Sequence, residues 1–179
     1  NVIEHASAKN GAILCAQYYK KSNSIRIGIA DTGVGIKKTI NQSYSAKNDL
    51  EAIKLALQPV ITWTTKREGG TEQNAGAGLF FIKSIASVNR DFFIIYSGKG
   101  FYKLLKHPPS TNLRLNADPA KDRHSEDDNL PSWPGTIVGI DISLSQTEEF
   151  SLLLDAIRKT YGLAVRERKK SRYRKPKFI

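Results

Sequence analysis

The segment that most constrains this chain is Ser24-Ile-Arg-Ile-Gly-Ile-Ala-Asp31, with the turn Thr32-Gly-Val-Gly-Ile36 that follows it. Ile25, Ile27 and Ile29 alternate with Arg26, Gly28 and Ala30, which is the period of a half-buried strand. Asp31 keeps the parity of the isoleucines, so its carboxylate is aimed at the apolar side. A carboxylate there is costly unless hydrogen-bond donors meet it. Gly33 and Gly35 allow the backbone to approach a ligand closely. A buried acceptor beside a glycine turn suits the amino edge of a purine. The competing reading is an aspartate that ends its strand and caps the next turn.

The same periodicities organise the rest of the chain. Residues 11–20, 25–31, 92–96, 101–105 and 136–144 read as strands, with a hairpin turn at Ser97-Gly-Lys-Gly100. Helices are expected near 1–8, at 49–58 before Pro59, and at 77–88, where Leu79-Ile82-Ala86 and Phe81-Ile85-Val88 form stripes. Residues 62–76 are polar, contain glycine and lack periodicity, so they read as a mobile loop. Residues 106–134 hold five of the seven prolines and read as an exposed, partly disordered excursion. After Leu144, residues 146–161 form an amphipathic helix with Phe150, Leu153, Leu154, Ile157 and Tyr161 on one stripe. A basic tail at 162–179 completes the chain.

The composition sets outer bounds. With 179 residues the chain can bury a real core as one domain with appendages. No apolar run approaches a membrane span and no signal-peptide pattern opens the chain, so a cytoplasmic protein is expected. Cys15, the one cysteine, lies in an apolar alternating run and reads as a core residue of a reducing compartment. The chain begins at Asn1 and lacks methionine, as a fragment or processed product would. Its net charge of +11 is concentrated, because residues 158–179 carry +9 and the rest only +2.

Two glycine turns carry the chemistry. Gly33-Val-Gly35 follows a strand, and Gly76-Ala-Gly78 opens a helix, whose unpaired N–H groups and positive dipole end favour phosphate. Neither is a dinucleotide fingerprint, since Lys38 and Phe81 stand where a third glycine belongs, and neither continues as a P-loop. Protein-kinase signatures are absent.

Taken in order, Asn1-Val-Ile-Glu-His5, Asp31-Thr-Gly-Val-Gly35, Asn74-Ala-Gly-Ala-Gly-Leu79 and Gly135-Thr136 resemble the ATP-binding boxes of the GHKL (Bergerat-fold) superfamily. That group includes DNA gyrase B, MutL, the ninety-kilodalton heat-shock chaperone, sensor histidine kinases and anti-sigma-factor serine kinases. The resemblance covers residues 1–144, about four fifths of the chain. It implies an α/β (α+β) two-layer sandwich: a mixed, mostly antiparallel sheet with helices on one face and Mg-ATP between them. Asn1 matches the Mg²⁺ ligand, and His5 lies near the phosphates. Asp31 matches the acceptor of the adenine amine, with Gly33 and Gly35 shaping the pocket. Gly76, Gly78 and Leu79 match the phosphate-side box, Thr136 a hydroxyl near the base, and Thr62 to Ala75 the flexible ATP lid.

The departures bear on what the ATP is for. The glutamate of the ATPase and serine-kinase branches would precede residue 1. Sensor kinases carry Lys or Arg three residues after the Asn, where this chain has Glu4, and no phosphoacceptor histidine segment occurs. His107 and His124 read as surface residues, and Trp63 and Trp133 as packing residues. The leading expectation is an ATP-dependent protein kinase or ATPase that passes the γ-phosphate to a protein partner or to water. A different class is a non-catalytic ATP sensor that regulates a protein partner. A third adds nucleic-acid contact through Arg166 to Lys177, with Tyr173 and Phe178 stacking on bases.

Overall fold

The computed structural model describes residues 11–59, 78–108, 115–144 and 150–172. Among the described residues six strands form one sheet: β1 (Ala12–Tyr19), β2 (Ser24–Asp31), β3 (Phe93–Gly98), β4 (Gly100–Leu104), β5 (His124–Asp127) and β6 (Trp133–Ser143). Their order across the sheet is β1-β2-β6-β3-β4-β5. The described residues also form the α-helices α1 (Gly35–Ile40), α2 (Asp49–Ala56), α3 (Gly78–Val88) and α4 (Phe150–Arg172).

The chain is therefore α+β, and every strand pairing is antiparallel. The expected mixed sheet is corrected in this respect. β2 and β3, joined through the helices, both run antiparallel to β6 and so parallel to each other. β6 lies between them, which removes the parallel contact that a direct crossover would create.

Register determines which residues face the helices. Ile25, Ile27 and Ile29 lie opposite Ile142, Ile140 and Val138 of β6. Val138 and Ile140 lie in turn opposite Ile95 and Phe93 of β3. Onto this side α1 places Ile36 and Ile40, α2 places Ala52, Ile53 and Ala56, and α3 places Leu79 and Ala86, forming the main core. α3 has two apolar stripes because it is covered twice. Its other side, with Phe80, Phe81, Ile85 and Val88, packs against Ile157 and Tyr161 of α4. α2 begins where its sequence can cap it, with the Asn48 side chain accepting the Glu51 N–H at 2.8 Å.

Several expectations need correction. α1 and β5 are additional to the expected elements. β5 pairs with β4 inside the stretch read as an exposed excursion. That stretch is tied down at Asp122, which is buried and ion-paired with the equally buried Lys83 of α3 at 2.5 Å. Cys15 is exposed rather than a core residue, because β1 is an edge strand without a described helix over it. The helix expected to stop at Tyr161 continues to Arg172. Arginine and lysine are good helix formers, so the basic run does not end it. The expected helix at 1–8 and the loop at 62–76 lie outside the described residues. So does the tail beyond Arg172. Among the described residues no helix is long and apolar enough to cross a membrane.

Candidate functional site

β2 delivers Asp31 to the end of the sheet with 6 % of its surface exposed, on the same face as the isoleucines. One carboxylate oxygen, Oδ1, accepts the Gly33 N–H at 2.8 Å. The turn-capping reading of Asp31 therefore holds for that oxygen. Oδ2 has no hydrogen-bond partner among the described residues. The Asp31 carbonyl accepts the indole N–H of Trp133 at 2.9 Å. Trp133, expected only to pack, thus holds the backbone from which the carboxylate projects.

Gly135 closes the site from the start of β6. It adopts φ +105°, a left-handed backbone that favours glycine. A Cβ built there would lie 2.3 Å from the Asp31 carbonyl oxygen, 2.6 Å from Asp31 Oδ1 and 2.6 Å from the Gly33 nitrogen. Only a hydrogen fits between these strands, so Asp31, Gly33 and Gly135 meet through glycine backbone although 102 residues separate Gly33 from Gly135.

Ser97 binds the third side of the site. It is buried on β3, its Oγ accepts the Ile36 N–H at 2.9 Å, and it donates to the Gly135 carbonyl at 2.7 Å. The hydroxyl of Thr136 lies 3.4 Å away. α1 has no side-chain cap of its own at Val34, so Ser97 supplies from another strand the acceptor that a helix start requires. Gly35, at φ +74°, makes the turn that brings Ile36 there. From sequence alone Ser97 is expected in a hairpin turn. The available signal was its parity with Phe93 and Ile95, which places it on the core face.

Of the expected site residues, the structure brings Asp31, Gly33, Gly35 and Thr136 together. Gly78 is exposed and opens α3, while Leu79 is buried in the main core, so its side chain is a packing group. Asn1, His5 and Gly76 lie outside the described residues. Among the described residues no group of three His, Cys, Asp or Glu side chains could hold a metal ion. Compared with known proteins, the chain matches no protein-family model and no curated protein.

Proposed function

We propose that the Asp31 site binds the adenine of Mg-ATP in a Bergerat-type fold, as a kinase or ATPase domain. The observation that carries this reading is the buried Asp31 carboxylate. Oδ1 is engaged by Gly33, whereas Oδ2 has no described partner. An amino group of the base would donate to Oδ2, an acceptor that no described residue engages. The Gly33 N–H keeps the carboxylate from rotating, so the acceptor is oriented before ligand arrives. Thr136 lies at the same site with a hydroxyl able to reach the base directly or through water.

The phosphates would extend toward the start of α3 at Gly78, where unpaired N–H groups and the helix dipole favour anions. Mg²⁺, when bound, would offset their charge. It takes few protein ligands and keeps several waters, so a single amide such as that of Asn1 suits it. The chain's own contribution is to orient base and phosphates, leaving the γ-phosphate open to a protein hydroxyl or imidazole, or to water.

The test is calorimetric titration of Mg-ATP into the unmutated chain and Asp31→Asn. The amide retains an oxygen for the Gly33 N–H and so preserves the turn. It can also present a donor to the adenine amine. A mismatch at a buried polar contact costs about 1–3 kcal/mol, so affinity should fall roughly tenfold to hundredfold. Unchanged affinity in a folded variant refutes the assignment.

A further inference from the structure

α4 carries the first part of the basic run on a helix that extends to Arg172. Its apolar side is already used. Ile157 is fully buried, and Tyr161 lies 6.5 Å from the ring of Phe80 and 6.3 Å from that of Phe81. At 3.6 residues per turn, Lys159, Arg166 and Lys170 fall roughly opposite Ile157. All three are exposed, and Arg158 beside them has a side chain 66 % exposed. Arg158 pairs with Asp155 at 3.2 Å, but Lys159, Arg166 and Lys170 have no acidic partner among the described residues. Arg166 and Lys170 stand four residues apart, a repulsive spacing for like charges on a helix. The helix dipole accounts for cations in the last turn, but not for Arg158 and Lys159 in the middle.

We propose that the outward face of α4, carrying Lys159, Arg166 and Lys170, binds the phosphate backbone of duplex nucleic acid without reading its sequence. From Lys159 to Lys170 the face is about 17 Å long, and the same length of duplex carries about ten phosphate charges. Those phosphates relieve the repulsion that the helix bears alone. A membrane surface fits less well, because a helix lying in a bilayer must bury an apolar face. Here that face is occupied by α3, and among the described side chains of α4 Leu163 alone is a large exposed apolar one.

The experiment is fluorescence-anisotropy titration of a labelled duplex of random sequence with the full chain at several salt concentrations. About three phosphate contacts give a log–log slope near −2.7, and so a loss of affinity of about 40-fold between about 50 and 200 mM salt. The triple variant Lys159→Glu/Arg166→Glu/Lys170→Glu should lose duplex binding at least tenfold at low salt. Its far-UV circular dichroism and Mg-ATP affinity should be unchanged, which separates this face from the Asp31 site. Because the slope is measured on the unmutated chain, it tests the proposal even if the variant misfolds. Salt-independent binding, or duplex affinity unchanged in the folded variant, overturns the proposal. So does equally tight binding, per anionic charge, to phosphatidylserine vesicles.

Discussion

Replacing Lys83 with Met tests whether the segment around Asp122 is part of the core or a loose excursion. Lys83 Nζ donates to Asp122 Oδ2 at 2.5 Å and to the Asn116 carbonyl at 3.0 Å, and the paired side chains are 1 % and 2 % exposed. Asp122 also accepts from the Tyr102 hydroxyl at 3.3 Å and from Asn116 Nδ2 at 3.1 Å. Methionine keeps most of the lysine stem and its packing, but leaves a buried carboxylate with neutral donors only. Breaking such a pair from one side costs about 3–5 kcal/mol. That is a large fraction of the roughly 5–15 kcal/mol that holds a domain together. At about 2–4 °C per kcal/mol for a chain of this size, the melting temperature should fall by about 6–20 °C. Burial pulls the Lys83 amine below its usual value, outweighing the upward pull of Asp122. The pair as a unit is therefore expensive to bury, and Lys83→Met/Asp122→Leu should be more stable than Lys83→Met alone. Urea and thermal denaturation followed by circular dichroism measure both. A cost below about 1 kcal/mol for Lys83→Met would show that the charge is not buried and that the segment is not anchored there.

Gly135→Ala should destabilise the fold by at least about 2 kcal/mol and weaken ATP binding, since the added methyl meets Asp31 backbone at 2.3 Å on a left-handed residue. Denaturation and calorimetry check the two effects separately. Asp91 concerns pH. Burial, with a smaller push from Asp141, holds its carboxyl above the usual range despite the Ser143 N–H and Lys106. Just above its usual value the native state binds this proton more tightly than the unfolded chain, so Asp91's contribution to stability falls as pH rises through that window. Asp91→Asn keeps an acceptor for the Ser143 N–H. The stability difference between parent and variant should therefore shift toward the variant as pH rises from about 4, and a flat difference would contradict the shift.

What the sequence disclosed follows from which signals are local. β1, β2, β3, β4 and β6, with α2 and α3, were legible because alternation or helical spacing is strong in each. The parity of Asp31 was enough to place its carboxylate on the buried face. β5 carries no apolar alternation. It is held by backbone pairing, by the stacking of His124 on Tyr102 at 4.9 Å, and by the Lys54–Glu126 pair at 2.6 Å. α1 has only six residues and takes its N-terminal acceptor from Ser97, 61 positions away from Ile36. Such a helix is too short to show a period, and its cap is invisible without the fold. Likewise, nothing local in the sequence pairs Trp133 with the Asp31 carbonyl.

The most direct test of the Asp31 assignment compares nucleotides that differ at the edge of the base the carboxylate is proposed to engage. Mg-ATP and Mg-ITP share ribose and phosphates, but inosine presents a carbonyl where adenine has an amine and an N–H where adenine N1 accepts. Facing Asp31 Oδ2, that carbonyl places acceptor against acceptor. Calorimetry on the unmutated chain should find ITP weaker than ATP by roughly tenfold or more, with the preference shrinking or reversing in Asp31→Asn. Equal affinity for the two nucleotides, or an ATP preference that survives in Asp31→Asn, would contradict the proposed role of Asp31.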